Sequence, residues 1–267
     1  MKSIKTALSF AAGLALALGL WSAPLQAQTP EEIQERGTVN IGMLVDFPPF
    51  GIMNEQNQPD GFDADVAKLL AEDMGVEVNL VPVTGPNRIP YLISNQVDLL
   101  VASLGITEER AKSVDFSEPY VGIQISVYGN RDLEISKPED LEGVKIGVAR
   151  ASTQDTGITE LAPPGAIIQR FDDDASAVQA LLSGQVEVIG CSNTVIAELE
   201  RIAPGRFDVK FDISEQVQGI AVRPGSDELL AYINDFLKRV KEDGRLDEIH
   251  QKWLDAPLPD FVRNSAS

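Results

Sequence analysis

Hydrophobic positions along this chain fall into two alternating rhythms. TVNIGMLV (38–45), VEVNLVPV (76–83) and VDLLVAS (97–103) are short apolar runs rich in β-branched residues, and each predicts a strand. Between the first two, DADVAKLLAEDMG (63–75) carries Ala64, Val66, Ala67, Leu70, Ala71 and Met74 on one side of a helix and stops at Gly75. NRIPYLISNQ (87–96) reads as a short helix. The rhythm then repeats. Strands at VKIGVA (144–149), AIIQRF (166–171) and VEVIGC (186–191) alternate with helices at TQDTGITELA (153–162), DDASAVQALLSG (173–184) and NTVIAELERIA (193–203). Two amphipathic helices, SDELLAYINDFLKRVKEDG and RLDEIHQKWL, follow near the C-terminus.

Alternation of this kind predicts an α/β fold built from parallel units. The two series are similar in plan and share no strict sequence repeat. Long strand-like segments with polar stretches, 125–143 and 208–225, stand at the two joins. A second lobe inserted between two crossings returns the C-terminus to the first lobe, and two crossing strands form a hinge over a cleft. The expected division is lobe one over 28–128, lobe two over 129–216, and a return to lobe one over 217–267. Small ligands prefer clefts between domains.

The first 27 residues do not fit this plan. MKSIK is basic, residues 6–21 are apolar, and SAPLQA ends in small residues, the order of a secretory leader cleaved after Ala27. Its apolar core is short for a membrane span. Cleavage removes Lys2 and Lys5 and no acids, which makes an already acidic chain of formal charge −19 more negative. Such a charge repels nucleic acid and anionic lipid. The expectation is an exported periplasmic protein, monomeric, with no nucleic-acid partner.

One cysteine, Cys191, excludes an internal disulfide, and one histidine, His250, excludes a metal site built on histidine pairs. Cys191 closes an apolar run and reads as a small core residue, and His250 lies on an amphipathic helix. A Cys–His dyad would also need an orienting third group.

SLGITEER (103–110) follows an apolar strand and raises a sharper question. Glu108 and Glu109 suit a helix start, but Arg110 opposes the helix dipole there. Its guanidinium either pairs with a neighbouring acid or holds an external anion.

In order and spacing, VDFPPFG (45–51), GFDADVAKLLAEDMGV (61–76), NRIPYL (87–92), VDLLVASLGITEERAKSVDFSEPY (97–120), LEGVKIGVARASTQD (141–155), ALLSGQVEVI (180–189) and EDGRLDEIHQKWL (242–254) resemble the extracytoplasmic solute-binding proteins of family 3. These are the amino-acid-binding partners of ABC transporters. The resemblance spans the mature sequence and implies a type II periplasmic-binding-protein fold, with two α/β lobes on a two-strand hinge. It implies a binding protein, not an enzyme, with no cofactor or metal. Its partners would be a free L-amino acid and an inner-membrane permease.

The resemblance also assigns residues. Arg110 matches the arginine that holds the ligand α-carboxylate, for which a planar two-donor fork is well suited. Ser103 adds a hydroxyl, and Gly105 allows close approach of a backbone N–H. Ser152, Thr153 and Gln154 match a helix-start turn that meets the same carboxylate, with Ala151 in place of the usual glycine. Ser152 or Thr153 is equally suited to ordinary capping. Phe47 either stacks on ligand or fills the core of a proline-rich turn. Arg88 matches an arginine that contacts acidic side chains, while Leu44 matches neither the cationic nor the acidic extreme. The lobe-two acid expected near Ser192 or Asn193 for the ligand ammonium is missing. That leaves Asn193 for a hydrogen bond and Asp174 or Asp46 for the charge. The implied ligand is a polar amino acid, with acidic or amide side chains favoured. Two other classes compete: a secreted cyclohexadienyl-type dehydratase with Asp174 or Glu187 as general acid, and a sensor domain, which would be expected to continue past residue 267.

Overall fold

The computed structural model describes residues 28–263; the expected leader, 1–27, lies outside the described residues. Thr29 caps a short helix, α1 (Pro30–Arg36), through a capping box with Glu32. There follow β1 (Thr38–Leu44), a small hairpin of β2 (Ile52–Met53) and β3 (Pro59–Asp60), α2 (Phe62–Met74), β4 (Glu77–Val83), α3 (Arg88–Ile93) and β5 (Leu99–Leu100). The long β6 (Asp115–Asn130) leads to β7 (Lys145–Ala149), α4 (Thr153–Leu161), β8 (Ile167–Phe171), α5 (Asp174–Ser183), β9 (Val188–Ser192) and α6 (Asn193–Ile202). The equally long β10 (Phe207–Val222) returns to α7 (Asp227–Glu242), α8 (Arg245–Leu254) and α9 (Asp260–Arg263).

Strand order is β4-β1-β5-β10-β6-β9-β7-β8. Lobe one is the parallel set β4-β1-β5, and lobe two is the parallel set β8-β7-β9. Between them β6 and β10 run antiparallel along their whole length. β5 joins β10 at Ala221, and β9 joins β6 over Ile125–Gly129. Around Ile123 and Gln124, opposite Gln216 and Glu215, the two crossing strands pair only with each other as strands. A lone ribbon twists more readily than a packed sheet, so this is where the lobes can pivot.

Each lobe has a packed interior. Ile41, Leu70, Leu99 and Phe236 are fully buried in lobe one. Lobe two covers one sheet face with Ala180, Leu181, Ile189, Leu199 and Phe207 and the other with Val127, Ile146, Val148, Ile158 and Val188. The six apolar positions expected on α2 are all buried, and Gly75 ends that helix at φ 71°. The run 97–103 departs from expectation, because strand pairing stops at Leu100 and the chain turns at Ser103, φ 47°. That turn starts the loop that faces lobe two. Cys191 is buried in the core, as its position suggested. His250 is buried too, with Nδ1 2.7 Å from Ala256 O and its ring edge-on to Phe62.

Phe47 and Gly51 close a tight loop by exchanging backbone hydrogen bonds of 3.0 and 2.9 Å. A Cβ on Gly51 would lie 1.9 Å from the Leu44 carbonyl oxygen, which is backbone and cannot move aside. Gly51→Ala is therefore expected to destabilise the protein by ~1–3 kcal/mol, read from the midpoint of urea unfolding; an unchanged midpoint would contradict this packing.

Candidate functional site

The cleft between the lobes holds a small cavity of about 30 Å³ lined by residues of both. From lobe one come Leu44, Phe47, Arg88, Ser103 and Arg110; from lobe two, Ser152, Thr153, Gln154 and Asp174; from the crossing strands, Ile123 and Gln218. The space accommodates roughly one water, so an amino acid can enter only when the lobes part.

The loop after β5 does not begin a full helix. It makes one 3₁₀ turn, Arg110–Lys112, with Thr107 Oγ1 accepting the Arg110 N–H at 3.2 Å. A cation is thus held near a helix-like start without a long dipole opposing it. Arg110 Nη1 donates to Gly105 O at 2.8 Å, and Nη2 crosses the cleft to Ala151 O at 2.9 Å. Arg88, the first residue of α3 and only 5% exposed, donates through Nη1 to Ala102 O at 2.8 Å. Its Nη2 reaches the same Ala151 O at 3.4 Å.

Burial lowers both guanidinium pKa values, Arg88 to about 10 and Arg110 to about 9; the charge of Arg88 adds to the effect on Arg110. Two cations facing one cavity make a strong anion site. Lobe two contributes a helix start. Ser152 caps α4, its Oγ accepting Asp155 N–H at 3.0 Å and donating to Ala149 O at 2.6 Å. Other N–H groups of that first turn have no intrahelical partner. Thr153 Oγ1 donates to Gln154 Oε1 at 3.2 Å beside the cavity. Ala151, standing where a glycine was expected, has φ 59°, a region that favours glycine. Gly105 lies directly opposite, since a Cβ there would meet Thr153 Cγ2 at 3.0 Å.

Asp174 is the acid of the cavity. Burial raises its carboxyl pKa to about 7, the Asp46 charge adds to the rise, and Arg88 opposes it. Asp46 is also raised, by burial and by Asp173. Asp173 itself caps α5, accepting Ser176 N–H at 2.6 Å. Asn193 does not reach the cavity. It lines a separate groove of about 430 Å³ beside His250 and Trp253, and its Oδ1 accepts Gln124 N–H at 3.3 Å. Position 193 opens α6, and its side chain is held to the hinge ribbon by that bond to Gln124. Glu187 is exposed and accepts Lys145 N–H at 2.9 Å, away from the cavity.

Three supporting groups were not anticipated. Asp63 is fully buried and accepts hydrogen bonds from Ser103 Oγ at 2.7 Å and Tyr120 Oη at 2.8 Å. Burial lifts its carboxyl pKa to about 6. It lies on the same stripe of α2 as Ala67 and Leu70, and an acid in an apolar stripe signals a partnered carboxylate. Tyr120 Oη also accepts the Ser103 N–H at 3.3 Å. Gln218, 1% exposed on β10, gave no such signal, because Gln216, Val217 and Gln218 read in sequence as an ordinary polar–apolar–polar strand stretch.

A family model described as bacterial extracellular solute-binding proteins, family 3, matches residues 39–256. The chain belongs to that family. Two named relatives bracket its sequence. The L-cystine-binding protein TcyJ of Escherichia coli (strain K12) is 29% identical over 85% of this chain and 86% of its own length. The ABC transporter glutamine-binding protein GlnH of Bacillus subtilis (strain 168) is 34% identical over 83% of each. Among solved structures, the ancestral amino acid-binding protein AncCDT-1, described as a precursor of cyclohexadienyl dehydratase, superimposes with TM-score 0.78. It is 35% identical over 84% of this chain and 98% of its own. In this chain the sheet order gives two lobes, with the cavity between them.

The raised carboxyl of Asp174 links stability to pH. The native state holds that proton from the ordinary value of 3.8 up to about 7, whereas the unfolded state has already released it. The native state therefore binds more protons in that window, and stability falls as pH rises through it. Asp174→Asn is expected to flatten the decline in melting temperature of the ligand-free protein between about pH 4 and pH 7. A pH profile parallel to wild type would remove Asp174 as a cause.

Proposed function

We propose that this protein is the periplasmic substrate-binding component of an ABC transporter for a polar L-amino acid. The observation that carries the reading is the pair of guanidiniums, buried Arg88 and half-buried Arg110, that reach from lobe one to the Ala151 carbonyl of lobe two. Charged donors aimed into a shared cavity are the means to hold a carboxylate from one side and close upon it from the other. Lobe one, residues 28–128 with 217–267, receives the ligand first. Arg110 holds the α-carboxylate, with Ser103 fixed beside it by Asp63 and Tyr120. Lobe two, residues 129–216, then swings in on the β6–β10 ribbon. Ser152, Thr153 and Gln154 bring the α4 start over the same carboxylate, with the Gly105 backbone allowing close approach. Asp174 supplies the negative charge for the ammonium, and closure strengthens each contact by excluding water.

Arg88 faces the side chain. Its long bond to Ala151 is released when the lobes part, which frees Nη2 for an acidic or amide end. Leu44 and the buried Phe47 wall the same space without charge. Secretion follows from the leader-like residues 1–27, and the closed form, favoured by ligand, is the one a permease recognises. The glutamine- and cystine-binding relatives support a polar amino acid as ligand.

A dehydratase is the second reading, favoured by one observation: Asp174, raised to about 7, is an acid able to hold a proton in a cleft lined by two arginines. Turnover of prephenate by the purified protein, with no amino acid shifting its melt, would favour it.

Arg110→Ala is expected to weaken every amino-acid ligand by about 30- to 5000-fold in calorimetry, equal to ~2–5 kcal/mol. A change under about threefold would break the assignment. In a thermal-shift screen of the twenty amino acids, glutamate, aspartate or glutamine is expected to raise the melting temperature more than lysine, arginine or histidine. Arg88→Met should then weaken an acidic ligand more than a neutral one. Lysine or arginine at the head of that ranking would overturn the role given to Arg88.

A further inference from the structure

Among the described residues, Gln218 Oε1 is a buried side-chain oxygen with neither a hydrogen-bond nor an ion-pair partner. Gln218 is 1% exposed and lines the cleft cavity. Burying a carbonyl oxygen without a partner costs free energy, so an orphan of this kind calls for an explanation. Its place in the fold provides one. Gln218 sits on β10 where that strand leaves the hinge ribbon, at a register shift between Gln218 and Gly219. Its backbone bridges Gly105, and the flanking bonds run from Ile106 N–H to Val217 O at 2.9 Å and from Gly219 N–H to Leu104 O at 3.2 Å. Gly105 is the residue whose carbonyl holds Arg110. Gln218 is thus tied to the loop that carries the carboxylate-binding arginine. The positive field of Arg88 and Arg110, which line the same cavity, favours the carbonyl end of its amide facing inward.

We infer that Gln218 Oε1 accepts a hydrogen bond from the α-ammonium group of the bound amino acid. This rests on the reading of the cleft as an amino-acid site. In an α-amino acid the carboxylate and the ammonium share one carbon, so a group beside the carboxylate anchor faces the ammonium. An ammonium carries three donors, and a single carboxylate does not satisfy them all. Asp174 supplies charge from lobe two, and Gln218 supplies a neutral acceptor from the hinge strand. The ligand then touches both lobes and the ribbon between them. Filling the orphan's hydrogen bond makes β10 itself a sensor of occupancy.

The test pairs two readouts of opposite sign. Gln218→Met replaces the amide with an apolar chain of similar length. It should raise the melting temperature of the ligand-free protein, by about 2 °C or more, because a buried unpaired polar atom is gone. It should also weaken binding by roughly 10- to 100-fold in calorimetry, the range of a hydrogen bond to a charged group. The loss should be similar for an acidic, an amide and an apolar amino acid taken from those that bind wild type, since all share the ammonium. Gln218→Glu, which keeps an acceptor oxygen at the same reach, should bind more tightly than Gln218→Met. Gln218→Ala repeats the affinity measurement should Gln218→Met not fold. A lower melting temperature together with weaker binding would make Gln218 a structural residue and overturn the inference. A loss confined to one side-chain class would overturn it as well. If wild type binds amino acids and Gln218→Met binds them equally, this inference fails alone; if wild type binds none, the transport reading fails first.

Discussion

One backbone carbonyl, that of Ala151, accepts from two guanidiniums that belong to the opposite lobe. Much of the cleft can be understood from that contact. Two arginines brought together out of water repel each other and lose hydration, and burial depresses both. They persist because carbonyls at 102, 103, 105 and 151 take their N–H groups and because Asp46, Asp63 and Asp174 provide opposing charge nearby. The carbonyl of Ala151 points into the cleft because residue 151 takes a left-handed backbone conformation.

The acids of the cleft divide into two roles by their partners. Asp63 is fully enclosed, and its oxygens accept from Ser103 and Tyr120, so it acts by fixing the loop. Asp174 has no such partners and lines the cavity, where burial and the charge of Asp46 hold its carboxyl near neutrality. An acid that is half in favour of its proton at neutral pH responds strongly to any cation that enters. The same property suits such a carboxyl both to facing a cation and to donating a proton.

The stretch of sheet about which the lobes can pivot is short. Both lobes have closed interiors, and the strands of each are locked by parallel neighbours. Only the middle of the β6–β10 ribbon is without further strands beside it. Across the cleft Gly105 faces Thr153, and Arg88 and Arg110 span it to the Ala151 carbonyl.

The order of strands and helices, the apolar faces of α2 and lobe two, and the stop at Gly75 follow from period and punctuation, which are local properties. The family resemblance named Arg88, Arg110 and Ser152 because those residues sit inside continuous motifs, and it left Asp174 and Asp46 as alternatives for the acid it lacked. Three-dimensional contact decided the rest. Asn193 lines the hinge groove and bonds Gln124 there, a contact across 69 residues that no local pattern encodes. Gln218 came to the cavity from 113 residues beyond Gly105 in the chain, by strand pairing across the return of β10. Asp63 and Tyr120 meet over a gap of 57 residues, and their shared burial makes them a pair. Sequence alone determined which segments would be helix or strand and which side chains could do chemistry; tertiary structure decided which of those side chains share a cavity, because burial and electrostatic coupling arise only where distant segments pack together.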